Sequence, residues 1–331
     1  MAYYLTALNN RQRRVFIFLS VLALLSLLFA LGVGSVPISW RQMWTILSSR
    51  DHSVTYSVVM ELRLPRALNA FTTGGMLALA GALMQVLLRN PLADPYILGV
   101  SGGASVGALG AMFFGFTGLW LNSTAFCGAL LSMLLVFSLA HGRGSWTPTR
   151  LILTGVVLAT GWGALISFLL SISPDSNLRG MLFWLIGDLA HAGSSTMGIV
   201  ILIIGILLTL PVSRHLNVLT RGELKASALG VPVNRIRIQI YFIASLLTAS
   251  AVTIAGNIGF VGLVVPHLVR LIIGNDQRIL IPAAVLLGAS LLVIADTVAR
   301  TVMAPTQLPI GVITALIGVP VFLYLLQRSH R

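Results

Sequence analysis

The sequence predicts an all-α, polytopic membrane protein of about ten transmembrane helices, and three observations carry that expectation. Of 331 residues, 57% are apolar and only 9% are charged, whereas a soluble domain carries about 25% charged residues. The mean hydropathy is +0.96. The apolar residues fall in long charge-free runs, most of them near the 20 or so residues that one helix needs to cross a bilayer. So few charges cannot coat a water-facing surface of this size, so most of the exterior meets lipid. The same composition excludes a disordered chain, a coiled coil and a disulfide-stapled scaffold. The single cysteine, Cys127, lies in an apolar run and reads as a small buried side chain.

In chain order the charge-free runs cover 15–34, 67–88, 95–140, 151–174, 189–213, 238–269, 279–295 and 301–327. Arg11, Arg13 and Arg14 precede the first. It is long for a signal sequence and lacks a clear cleavage site, so it reads as a retained helix. The run 95–140 holds two helices, with a glycine-rich break near 115–118. The run 238–269 also breaks, near 256–262, leaving its second part short. The total is ten spans in one transmembrane domain, 1–331. Between the first two spans, 38–47 looks amphipathic, with Trp40 and Trp44 suited to a membrane interface.

The net charge is +13, from 20 arginines, the single lysine Lys225 and eight acids. A basic balance often marks nucleic-acid binding, but here the cations are scattered singly, with no aromatic-interleaved patch. Membrane topology explains them better. With the N-terminus in the cytoplasm, inner loops hold fifteen basic residues, and the outer side holds six: Arg41, Arg50, Arg63, Arg66, Arg179 and Arg300. That bias puts both termini inside.

The exceptions need a reason. Arg63 and Arg66, in Glu61-Leu-Arg-Leu-Pro-Arg66, open the second span at the outer face. An acidic partner outside would account for them, as would lipid phosphate or a structural contact. Asp296 and Arg300 are four apart on one helix, suited either to a fixed local pair or to showing Arg300 to a partner. Asp188 reads as a solvated loop acid. On the inner side, the loop 214–237 carries five basic residues and Glu223. Its middle, Gly222 to Gly230, reads as a short helix closed by a glycine. Such a helix is a natural docking surface for a soluble partner.

No chemistry of the chain's own is legible. There is no P-loop, no metal-ligand spacing among the histidines and no nucleophile–base arrangement. His267 reads as a structural hydrogen-bonding residue. The acids cluster at span ends, which argues against an ion-coupled secondary transporter. The missing catalytic cluster argues against a membrane-embedded enzyme.

Seven segments occur in a telling order: Glu61-Leu-Arg-Leu-Pro-Arg66, Gly81-Ala-Leu-Met-Gln85, Asn90-Pro-Leu-Ala-Asp-Pro95, Leu98-Gly-Val-Ser-Gly-Gly-Ala104, Gly259-Phe-Val-Gly-Leu-Val-Val-Pro-His267, Ala295-Asp-Thr-Val-Ala-Arg300 and Leu308-Pro-Ile-Gly-Val-Ile-Thr314. Together they resemble the FecCD-type permeases, the membrane subunits of bacterial ABC importers for iron–siderophores, haem and vitamin B12. The resemblance covers nearly the whole chain. It implies a BtuC-like type II importer permease in the bacterial inner membrane, working as a homodimer or paired with a homologous permease. Two ATP-binding subunits dock from the cytoplasm and a periplasmic substrate-binding protein docks from outside. The chain is then a transport subunit rather than an enzyme, without a cofactor of its own; ATP and magnesium belong to the partner ATPase.

The resemblance also assigns positions. Arg63, Arg66 and Arg300 match the arginines that meet acidic residues of the binding protein. The coupling element matches Arg221, Glu223, Lys225, Leu229 and Gly230. The cytoplasmic gate matches Asn90 and Leu92 in one loop, and Thr147 and Pro148 in another. Spans five and ten, 151–171 and 309–326, line the path. Arg179 and the segment 183–188 lie near the outer mouth. An iron(III) chelate, siderophore or haem, is the expected cargo, with cobalamin the alternative.

Overall fold

Lipid offers no hydrogen-bond partner, so a spanning chain must satisfy its backbone internally, and helices do this within one segment. The computed structural model describes residues 9–34, 38, 54–141, 147–190 and 192–329, and no strand occurs among them. The helices are α1 (Asn10–Gly32), α2 (Val54–Leu87), α3 (Val100–Phe113), α4 (Gly118–His141), α5 (Pro148–Ile172), α6 (Asp175–Ile186), α7 (Thr196–Thr209), α8 (Ser213–Leu219), α9 (Glu223–Ala228), α10 (Val233–Ala255), α11 (Val261–Ile273), α12 (Gln277–Ala299) and α13 (Ile310–Ser329). Seven are long and apolar enough to cross a bilayer: α1, α2, α4, α5, α10, α12 and α13. The pair α7–α8, bent by 62°, makes an eighth span, and α3 and α11 are shorter apolar helices. These account for the ten expected apolar elements. Trp40, Trp44, Arg41 and Arg50 lie outside the described residues.

Helix α2 is the hub and is almost wholly buried. Small residues let its neighbours reach its backbone, the usual basis of helix packing in lipid. A Cβ added at Gly74 would stand 2.2 Å from the carbonyl oxygen of Gly288 on α12. One added at Gly81 would stand 1.9 Å from that of Gly262 on α11. Gly74 and Gly81 are therefore sites of backbone-to-backbone contact. Helix α5, by contrast, buries only Leu151 and Gly155. Helix α1 buries a narrow stripe, Leu19, Ala23, Ser26 and Ala30, at helical spacing.

The two short helices share a cause. Each begins after an irregular segment that dips into the bundle, and the two segments meet. Pro95 packs at the position a Gly262 side chain would fill, beside the carbonyl of Leu77. Leu77 lies ten residues, about 15 Å, inside the end of α2. The amide N–H of Ile258 donates to the Tyr96 hydroxyl oxygen at 3.2 Å. Gly99 takes φ +68°, and its carbonyl accepts from the Ser132 hydroxyl at 2.8 Å. That hydroxyl oxygen in turn accepts from the Trp162 indole at 2.9 Å. Beside the second break, the N–H of Asp188 donates to the carbonyl of Ala255 at 2.9 Å. Protein groups replace water here, which is the condition for irregular backbone at membrane depth.

Three expectations are corrected. The second span begins at Val54 rather than Ala67, through a π-helical stretch Val58–Arg63; Arg63 and Arg66 are compensated within the protein, so a charge-free run undercounts it. The last span begins at Ile310, because 301–309 forms turns containing Pro305 and Pro309. Cys127 is exposed on α4; in a membrane protein the outward face is apolar too, so hydropathy does not distinguish it from the core. Replacing Gly81 by Val should destabilise the fold by about 3 kcal/mol, since neither backbone can move aside. Gly110→Ala, at a site with open space, should leave stability unchanged. Denaturant unfolding in detergent checks both.

Candidate functional site

The chemistry gathers at the two ends of the bundle. At one end, α1 finishes with carbonyl groups that have no partner in their own helix. Arg63 Nη1 donates to the carbonyls of Leu31 and Gly32, at 2.8 and 3.3 Å. Arg300 Nη2 donates to the carbonyl of Ala30. Cations at a helix C-terminus also complement its dipole. Behind them sits Asp296, only 1% exposed. Both its oxygens accept from Arg66 Nε at 3.0 Å, and Oδ1 accepts from Arg66 Nη2 at 2.8 Å. Arg300 Nε stands 3.6 Å from Oδ2. Arg66 Nη1 donates to Gln307 Oε1 at 2.8 Å, tying in the turn before α13.

The structure thus brings Arg63, Arg66 and Arg300 together and turns them inward. Arg63 is buried, and Arg66 and Arg300 show little surface. The tighter partner of Asp296 is Arg66, which lies 230 positions away, rather than its helical neighbour Arg300. At the same end, Glu61 and Arg179 are exposed, with the Arg179 guanidinium 5.6 Å from the Phe183 ring centre. Asp188 closes a local turn by accepting from the N–H of Ala190.

At the other end, α9 is the short helix expected around Glu223. Its C-terminus is a Schellman arrangement: Gly230 takes φ +76°, and the N–H groups of Gly230 and Val231 donate to Ser227 and Ala226. Leu224 and Leu229 project outward, 89% and 71% exposed. Lys225 is exposed, and Arg221 is exposed just ahead of the helix. Glu223 faces inward, where Oε1 lies 3.0 Å from Arg237 Nη1 and 3.5 Å from Arg89 Nη2.

Those two arginines escaped the sequence reading, although a signal existed. Arg237 sits at the start of an apolar span, and Glu223 is the only acid between Asp188 and Asp276. A buried guanidinium needs a carboxylate, so that pairing was available by elimination. The ion pairs face a cleft of about 540 Å³ that Thr147, Pro148 and Thr149 also line. Thr147 caps α5 by accepting from the N–H of Arg150, with Pro148 in the first helical turn. Asn90, next to Arg89, makes an Asx turn by accepting from the N–H of Leu92 at 2.9 Å. Of the positions expected to form the gate and the coupling helix, Thr147, Pro148 and Glu223 line this cleft. His267 fits its expected role poorly: its Nδ1 is buried without a partner among the described residues.

A polytopic helical bundle with a short helix at one end and buried charges at both is the architecture of a multi-pass membrane protein. Residues 22–328 match the FecCD transport family, and the chain belongs to it. The chain is 38% identical to the hemin transport system permease protein HmuU of Yersinia pestis, over 95% of each chain. It is also 38% identical to the vitamin B12 import system permease protein BtuC of Shigella boydii, over 99% of this chain and 100% of that one. Among solved structures, a metal-chelate type ABC transporter in an inward-facing conformation superposes with TM-score 0.83 at 33% identity, covering 96% of this chain and 99% of that one. The family's members are permease subunits of ABC transporters, transport components rather than catalysts.

Asp296→Asn should cost about 3–5 kcal/mol, because it leaves guanidinium charge buried beside a neutral amide. Adding Arg66→Gln should recover part of that loss. A double-mutant cycle on denaturant unfolding measures the recovery, and simple additivity would count against a coupled pair.

Proposed function

We propose that this chain is the permease subunit of an importer that moves an iron(III) chelate, siderophore or haem, into the cytoplasm. Cobalamin is the alternative cargo. The single observation that carries the transport mechanism is the placement of Glu223 on α9, paired at once with Arg89 and Arg237 beside Thr147 and Pro148. In this reading the α9 end faces the cytoplasm. The exposed Leu224 and Leu229 meet a separate ATP-binding subunit, and the ion pairs carry the movement of α9 to the loops that close the path. ATP and magnesium act on that partner. A second permease copy covers the exposed face of α5, and the path runs between the two, beside α5 and α13.

The binding protein docks at the opposite end. Three arginines stand there around one buried aspartate, so the local field is positive and suits an acidic partner. Arg63, Arg66 and Arg300 act through that field as well as by holding the surface that the partner reads. The cargo reading rests on relatives named for hemin and for vitamin B12 at equal identity and on a structural neighbour described as metal-chelate type. Binding assays on the cognate periplasmic protein against haem, siderophores and cobalamin decide it.

Reconstitution with the ATPase and binding protein tests the mechanism. Glu223→Gln should leave ATP hydrolysis in place while uptake falls about tenfold, the scale of a lost coupling interaction. Binding-protein docking should weaken as salt rises, because screening reduces the positive field of Arg63, Arg66 and Arg300 while leaving their buried contacts in place. Uptake driven by a proton gradient without the ATPase would overturn the reading.

A further inference from the structure

A second cleft, of about 580 Å³, opens at the α9 end on the far side of Arg89. It is walled by the end of α2, the turn between α8 and α9, the end of α11 and the start of α12. Four arginines line it, Arg89, Arg221, Arg270 and Arg278, against one carboxylate, Asp276. That carboxylate is already engaged: Oδ1 accepts from Asn217 Nδ2 at 2.8 Å and from the N–H of Arg278 at 3.1 Å. Its Oδ2 accepts from Arg278 Nη2 at 2.6 Å. These donors hold the Asp276 carboxyl below the usual carboxylate range, so it counts as one fixed negative charge. Arg89 leans on Glu223 across the neighbouring cleft. Arg221 and Arg270 have no ion-pair partner among the described residues. The cleft is therefore short of negative charge.

It is also short of hydrogen-bond partners. Gln277 is 1% exposed, and neither its Oε1 nor its Nε2 is paired among the described residues. Gln85 is 3% exposed; its Nε2 donates to the carbonyl of Leu263, but its Oε1 is unpaired among the described residues. A buried polar group left unpaired is costly. An anion with several acceptor oxygens would remove part of that cost at Gln277 Nε2 while neutralising the guanidinium groups.

We infer that this cleft binds a phosphate-bearing anion, held by Arg221, Arg270 and Arg278 with Gln277 at its floor. The guanidinium fork matches phosphate oxygens two at a time, which a point charge does not. The cleft has room for a phosphodiester headgroup or for pyrophosphate. Beside Arg270, the exposed Leu271 and Ile272 give an apolar approach of the kind an acyl chain would follow. Occupancy bears on Arg221, one position before the N-cap of α9, so the anion sits against the root of that helix. The site requires neither a particular cargo nor a particular ATPase.

The test follows thermal unfolding of the purified full chain in nanodiscs. One arm uses neutral phosphatidylcholine with added inorganic pyrophosphate, and the other adds phosphatidylglycerol to the bilayer. The midpoint should rise with ligand concentration in at least one arm. The apparent affinity should weaken about tenfold in Arg270→Gln, the loss of one charge-assisted contact. Arg221→Gln, on an exposed position, should do the same, should the first variant fold poorly. Arg235→Gln removes a charge outside the cleft and should change nothing. A response to pyrophosphate in neutral lipid identifies a free phosphate compound as the ligand; a response to phosphatidylglycerol alone identifies a headgroup. No response in either arm, or one that survives both cleft variants, overturns the proposal. So does stabilisation by polyglutamate with none by either phosphate source, which would assign the cleft to an acidic protein segment.

Discussion

The fold depends on how closely other helices approach the backbone of α2. In lipid there is no hydrophobic gain in bringing two apolar helices together, so packing and hydrogen bonding must supply the attraction. At Gly74 and Gly81 the partner carbonyls of Gly288 and Gly262 come so near that a single methyl group would collide. Dispersion contacts at that range are dense, and they surround α2 with α10, α11 and α12. The inserted segment around Pro95 depends on the same economy of volume, because it occupies the space that a side chain at Gly262 would fill. Remove the small residues and both the hub and the two broken helices lose their seats.

Because α2 is so firmly held, it links the two polar ends as one stiff element. Arg63 and Arg66 lie near its start, bound to α1 and to Asp296 on α12. Gln85 lies near its end, and Arg89 just beyond it reaches Glu223. Helix α10 plays a similar part through Arg237. A movement of α9 thus has two charged contacts with the bundle, each leading to a helix that runs its depth. The exposed α5 is attached more lightly, as expected of an element whose remaining surface belongs to lipid or to another subunit.

Much of this was readable from the spacing of charges. The charge-free runs gave the number of apolar elements, since each run had to be as long as the bilayer is thick. The short helix around Glu223 was legible because Gly222 and Gly230 bracket it. Position along the chain failed where pairing was distant. The first turns of α2 were hidden because Glu61, Arg63 and Arg66 read as surface charges, when two of the three are compensated internally. The pairing of Asp296 with Arg300 is legible from their spacing, but no local rule reaches Arg66, the tighter partner. Cys127 was misplaced because lipid-facing and core side chains are alike in a membrane protein. The basic cleft was invisible for the same reason as the Arg66–Asp296 pair: its arginines come from four separate stretches of chain.

The charged fastening of α1 has a consequence in time. The carbonyl of Ala30 is held by Arg300, which is synthesised 270 residues later. While the ribosome is still making the later spans, Arg63 can already hold the Leu31 and Gly32 carbonyls, but that of Ala30 has only water or headgroups. Its final hydrogen bonds form only when α12 arrives. The fastening of α1 is therefore completed only once α12, far along the chain, is in place.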